Sequence, residues 1–569
     1  MLVKPVSGLF VLLLLCSHAS IIQLSVDTPS PTVPCVPRPS VVESLQNLVV
    51  VIIEEQFESD LRTVMSRFAI EAGYQGFQIL IEYIPDATTP YTIRSRLQTH
   101  YENGLVGCLL IGNLSAPIFR QQDGASFEEF PIDLYFMDLD GIFGDLNTDG
   151  ILDWHGGNIE PEIFLGRLSP TTLYNFGNAS ELLQSYFHRN SLYRRGTLRA
   201  PQRVLTFIDD DWAYLAPTWY TQASLVYPEG TLIREPDGSS AAAYLQELNQ
   251  SYEFVLVGAH SNPTRHAFQA WGGWDYVYSK DIFALQSTIL FANLFACSAA
   301  DYRFANYLAG AYVFSSAGPL AVIGSTKTGS MYDFNTFFQT LAQGRGLGAA
   351  LQLWLQSAVY PSPEMPDSPQ WCYGMTCLGD PMLPVMLNHS DADHDGLPTF
   401  WESMFELNLA QPDAARDEDG DALTNAEEFT LFTHPRNPDT DLDWMPDGWE
   451  SRWGLNLFEN DSWIDYDLDR LTNYEEYCWG CNPWNSDTDA DGLRDDYEIE
   501  IGTNPVLPDT DADGLIDSLD LLPTHHWAII IVPLLFVPLI IVIIGFARKS
   551  PKQSVSHDIT NYNPNLKRN

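Results

Sequence analysis

The chain is 569 residues long and carries 74 acidic against 29 basic residues, a formal net charge of −45. That length exceeds one ordinary domain and is ample for a buried core. So acidic a chain repels phosphate, which argues against nucleic acid as a partner.

The first twenty residues, "MLVKPVSGLFVLLLLCSHAS", combine one lysine, an apolar run from Leu9 to Cys16 and a small, polar end. This is the layout of a secretory signal peptide, and the run is too short to span a membrane. Residues 21–46, rich in proline and serine, read as a linker or a short pro-segment.

From residue 47 the pattern changes. Short apolar runs recur: "LVVVII" (48–53), "FQILIEYI" (77–84), "VGCLLIGN" (106–113), "EIFLGRL" (162–168), "RVLTFID" (203–209), "FVLVGAH" (254–260), "STILFANLFAC" (287–297) and "PLAVIGST" (319–326). Segments with helical patterning separate most of them, such as "FESDLRTVMSRFAIEAG" and "NTFFQTLAQGRGLGAALQLWLQSA". The alternation predicts an α/β domain over 47–388, with a mostly parallel sheet covered by helices on both faces. Functional residues in such sheets gather beyond the carboxyl ends of the strands.

Within this domain Asp145, Asn147, Asp149 and Asp153 have the alternate spacing of a cation loop, although a solvated turn fits the same residues. Two strand ends carry more chemistry. "FVLVGAH" ends at His260 and "STILFANLFAC" ends at Cys297. If these strands are parallel neighbours, both side chains emerge at one edge, where an imidazole activates a thiol as a nucleophile. A small buried hydrophobe and a structural histidine are the alternatives. Eight cysteines less Cys16, lost with the signal, leave seven. Cys372 with Cys377, and Cys478 with Cys481, are spaced for local disulfides, "CWGC" being alternatively half a zinc or redox site; Cys35 and Cys108 remain beside Cys297.

Between Asp391 and His525 stand 36 acidic and 5 basic residues, −31 of the total charge. Asp-rich loops begin at Asp391, Asp417, Asp439, Asp465, Asp487 and Asp509, at intervals of 26, 22, 26, 22 and 22. Each offers Asp at positions 1, 3 and 5 and an acid at position 12. The sets are Asp391, Asp393, Asp395 and Glu402; Asp417, Asp419, Asp421 and Glu428; Asp439, Asp441, Asp443 and Glu450. The next three are Asp465, Asp467, Asp469 and Glu476; Asp487, Asp489, Asp491 and Glu498; Asp509, Asp511, Asp513 and Asp520. A hard cation wants six to eight oxygens, and alternate residues of a tight loop turn theirs inward. The period predicts a calcium array over 391–522. Ala422, Trp444 and Arg470 stand where other loops carry glycine.

"WAIIIVPLLFVPLIIVIIGFA", Trp527–Ala547, has no charge and spans about 31 Å as a helix at ~1.5 Å per residue. Arg548, Lys549 and Lys552 follow, so the tail, 548–569, is expected in the cytoplasm and residues 21–526 outside the cell.

The motifs around the His–Cys pair resemble those of gingipain-type cysteine peptidases, within the wider caspase-like fold. "DLYFMDLDGIFGDLNTDGILDWHGGNIEPEIFLGRLSP" (133–170) resembles the family's acidic loop and its "PE-hydrophobic-GR" strand; "YGMTCLGDPMLPVML" (373–387) resembles the glycine-aspartate-proline segment closing its catalytic domain. The resemblance covers roughly 47–388. It implies an endopeptidase in which Cys297 attacks the peptide carbonyl and His260 protonates the leaving amine. It also implies a supporting acid at the end of "FIDDDW": Asp210, with Asp209 and Asp211 as neighbouring alternatives and helix capping as another use of all three. The family usually has glycine after the histidine, where this chain has Ser261. An inactive, peptidase-like binding module on the same anchor is the competing expectation. The acidic array resembles thrombospondin type 3 repeats, which implies a calcium-stiffened spacer with little hydrophobic core.

Overall fold

The computed structural model describes residues 47–123, 126–234, 239–270, 273–358, 371–387 and 389–525. The signal peptide, the linker or pro-segment, the span at 527–547 and the tail lie outside the described residues. Among the described residues no helix is long and apolar enough to cross a membrane. The chain divides into two compact units between Asp461 and Ser462.

The first unit is built on a ten-stranded sheet. In spatial order its strands are Gly230–Ile233, Val204–Ile208, Tyr252–Gly258, Ile289–Phe295, Ala321–Ser325, Met375–Gly379, Phe164–Leu168, Leu105–Ile111, Leu48–Glu54 and Gln78–Ile84. Every neighbouring pair is parallel except Ala321–Ser325 with Met375–Gly379. The sheet is thus two parallel halves running in opposite directions, and only one half sends its carboxyl ends toward His260 and Cys297. Seven of these strands are buried along their whole length, as unbroken apolar runs require when both faces are covered. The predicted helix at 57–73 runs over Glu58–Tyr74. The one at 335–358 is two, Asn335–Ala342 and Leu347–Ala358, because Gly344 takes φ +77° between them.

The motifs that carry the family resemblance meet where the two halves join. Arg167 grips Asp133 with two nitrogens, at 2.6 and 3.1 Å, both side chains being buried. Asp380 binds Arg194 at 2.5 Å and Asn190 at 2.9 Å, both from the helix Ala179–Arg194. A Cβ on Gly166 would lie 2.4 Å from the Pro381 ring, so only glycine lets these strands approach. These residues are structural: they weld the sheet, and a lone buried partner would cost several kcal/mol.

The first unit continues past residue 388 to Asp461. Leu397, Trp401, Phe405 and Phe432 form a small core of their own. Tyr74, at the end of the first helix, stands edge-on to Phe405 at 4.9 Å and to Phe432 at 5.7 Å. The opening loops of the acidic array are therefore docked on the α/β domain, where the sequence predicted a spacer with little hydrophobic core.

Candidate active site and acidic loops

Gly258 pairs with Phe295 in neighbouring parallel strands, and His260 and Cys297 each stand two residues further on. Equal overshoot from one register point brings both to the same edge, as the sequence predicted. The Ser261 hydroxyl donates to the Cys297 carbonyl at 2.6 Å. The serine that departs from the family's glycine therefore ties the two strand ends together. Ser298 follows in the left-handed region, at φ 55°, its N–H held by Lys327 O at 2.9 Å. This turn leaves the Cys297 N–H without an acceptor among the described residues.

His260 is wedged between Trp212 and Trp274, with ring centroids at 4.6 and 5.0 Å. Its Nε2 meets Asp211 Oδ2 at 2.7 Å, which leaves Nδ1 as the nitrogen for the thiol. His260 and Cys297 form no hydrogen bond with each other among the described contacts. The carboxylate against His260 is that of Asp211, one of the two neighbouring alternatives to the Asp210 that the sequence favoured. Asp209 is buried and turned inward against the Gln269 N–H, and burial pushes its carboxyl up to about 6. The 3-10 turn Asp210–Trp212 then carries Asp211 back over the histidine; Asp210 does not reach it.

No disulfide forms among the described cysteines. The expected pairs stay apart as thiols: Cys377 points into the core from its strand opposite Ile323, and Cys372 donates to Ala358 O. Cys108, Cys372, Cys377 and Cys481 are buried, and burial pushes their thiols upward, Cys372 to about 12. Among the described cysteines only Cys297 and Cys478 remain partly open.

At the loop of Asp145, Asn147, Asp149 and Asp153 the backbone folds as expected, with the Gly150 N–H on Asp145 Oδ2 at 2.7 Å and the Leu146 N–H on Asp153 at 2.8 Å. The Arg120 guanidinium, however, takes Asp149 at 2.5 Å and supplies the positive charge there.

The six loops of the array repeat one geometry. In each, the first Asp accepts the N–H of position 6, at 2.7–3.1 Å. The Asp at position 5 accepts the N–H of position 7, at 2.7–3.0 Å. What remains is carboxylate oxygen with no partner, buried: both oxygens of Asp393, Glu402, Glu428, Asp441, Glu450 and Glu476, and one each of Asp419, Asp443, Asp467, Asp469, Asp487, Asp489, Glu498, Asp513 and Asp520. Burial, then the neighbouring aspartates, push Glu428 and Glu476 up to about 9 and Glu450 to about 12. Oxygens so crowded and unpaired fit a divalent cation.

Sequence reasoning missed two members. Asp461 converges with Asp443 and Glu450, their oxygens within 4.8 Å of one another. Asp413 stands by Glu402 with a buried oxygen unpaired. An aspartate falls 22 residues after each of the first five loop starts; at the 26-residue intervals it is Asp413 and Asp461, and that spacing was the available signal.

Position 6 is left-handed throughout, including Ala422 (φ +81°), Trp444 (+80°) and Arg470 (+84°). Arg470 is 82% exposed in its side chain, with a loose contact to Asp496 at 3.5 Å. Arg470→Gly should therefore stabilise its loop by about 1 kcal/mol and tighten cation binding, as thermal melts and a calcium titration would read.

No protein-family model and no curated protein matches this chain. Among solved structures, an extracellular ligand-binding receptor from Verminephrobacter eiseniae is similar over 54% of this chain and 77% of its own, at 12% identity and a TM-score of 0.15, too low to bear on fold or function.

Proposed function

We propose that this chain is a cell-surface cysteine endopeptidase of the gingipain type, with a calcium-loaded array between its α/β domain and a single membrane span. The observation that carries this reading is the pairing of Gly258 with Phe295, which brings His260 and Cys297 to the same end of neighbouring strands, with Asp211 on the imidazole. The cytoplasmic tail and exported head rest on the sequence of the two ends.

In this reading the Cys297 thiolate attacks the peptide carbonyl. The Cys297 N–H faces the oxygen that gains charge, and His260 hands its proton to the leaving amine. Asp211 holds the ring by Nε2 and stabilises its cationic form. A water then hydrolyses the acyl-enzyme, with His260 as base. The array's calcium would be held by the Asp and Glu sets named above, joined by Asp413 and Asp461, and would neutralise their charge.

Asp211→Asn should lower kcat/KM by roughly tenfold or more, while Asp210→Asn changes it less than about twofold. Equal losses would dissolve the assignment of the acid. A second reading, an inactive peptidase-like binding module, draws on the missing hydrogen bond between His260 and Cys297. Alkylation decides between them. An iodoacetamide-type probe should label Cys297 faster than a model thiol and slow on His260→Ala; labelling at the model rate with no response to the histidine supports the binding module.

A further inference from the structure

We infer that the cleft beside His260 selects substrates bearing an acidic side chain just beyond the bond to be cut, and that Arg265 is the residue that reads it. The inference rests on the peptidase reading and goes on to name its substrate class.

The argument starts from a three-stranded antiparallel sheet, His260–Asn262, Arg265–Ala270 and Gly273–Tyr278. Side chains alternate across such a sheet. One face carries His266, Phe268 and Val277, all buried in the core. The other carries His260, Asn262, Arg265, Ala267, Trp274 and Tyr276, and these, joined by Ser261, line a cleft of about 230 Å³. His260 and Ser261 line it, and Ser261 is bonded to the Cys297 carbonyl, so the cleft opens beside the histidine at the strand ends that carry the nucleophile. The leaving amine receives its proton from that histidine, which puts the peptide that follows the amine within reach of this cleft.

Arg265 is the charged group waiting there. Its guanidinium lies over the Tyr276 ring at 4.0 Å and near Tyr278 at 5.8 Å. Among the described residues no carboxylate pairs with it, although the chain holds 74 acidic residues. Lys280, 5.7 Å from the Tyr278 ring, adds a second positive charge near the same aromatic side chain. A half-buried guanidinium held flat by aromatic rings presents a fixed fork of donors, which suits a carboxylate and repels lysine or arginine.

The test uses the full-length chain and C-terminally amidated peptides built from the cut sites of a mixed library. They come in pairs differing only as Asp against Asn, or Glu against Gln, at the first or second position after the bond. The ratio of kcat/KM within a pair should exceed roughly tenfold in favour of the acid. It should fall toward one in Arg265→Gln, and invert in Arg265→Glu toward lysine-bearing peptides. Arg265→Lys, which keeps the charge and loses the fork, should retain part of the ratio and serves if the glutamine variant melts early. Cleavage with a ratio near one, or one unmoved by Arg265→Gln, overturns this inference and leaves the peptidase reading standing. Absence of any Cys297-dependent cleavage overturns the peptidase reading, and this inference with it.

Discussion

Chelation of calcium at pH 7.5 should lower the melting temperature of the acidic array by more than about 20 °C, and the same chelation at pH 4 by only a few degrees. Without a cation, Glu428 and Glu476 are pushed up to about 9, Glu450 to about 12 and Glu498 to about 8, burial being the largest cause in each. The unfolded chain releases these protons near 4.5. Above that pH the unfolded state ionises while the folded, cation-free state cannot, so stability is lost as pH rises from 4.5 through the raised values. Below 4.5 both states hold their protons and the penalty vanishes. Bound calcium would remove it at neutral pH by neutralising the carboxylates, each site adding about 2.7 kcal/mol at a hundredfold excess over its Kd. Melts followed by circular dichroism, with and without chelator at the two pH values, give the comparison. A melting temperature indifferent to chelator at pH 7.5 would mean that the unpaired oxygens of Asp393, Asp441 and Glu450 are not a cation shell. Because Tyr74 seats Phe405 and Phe432 on the α/β domain, chelation should also loosen that contact, read as faster proteolysis near residues 405–432.

Cys297→Ala should abolish peptide cleavage, by at least about 10³-fold, and His260→Ala should cost nearly as much. The two act as one unit, so the double variant should lose little more than either single one. Ser261→Ala is a useful third variant. Its hydroxyl donates to the Cys297 carbonyl at 2.6 Å, so its loss should misplace the nucleophile without touching the thiol, lowering kcat more than it raises KM. Steady-state kinetics on one peptide separate these cases, and undiminished cleavage by Cys297→Ala would move the chemistry elsewhere.

Much of the frame was legible because apolar runs and cation loops are local signals. The eight runs from Leu48 to Thr326 became strands, and every loop from Asp391 to Asp509 folded about its position-6 turn. The strand Met375–Gly379 was not foreseen as part of the sheet, since its direction and partners depend on Asp380 meeting Arg194, more than 180 residues away in sequence. The histidine and cysteine could be read from strand ends, but their acid could not be fixed. Three successive aspartates differ only in how one turn rotates them, and the turn Asp210–Trp212 chose Asp211. Trp212, Trp274 and Arg265 escaped notice for a related reason: their roles come from a sheet face folded over His260, and an isolated aromatic or arginine carries no spacing signal.

The most direct test of the account is cleavage of a mixed peptide library by the full-length chain, with calcium and mild reductant, beside its Cys297→Ala variant. The account predicts discrete cuts that vanish in the variant. A folded, calcium-loaded protein that cuts nothing, or cuts equally well without Cys297, would contradict it.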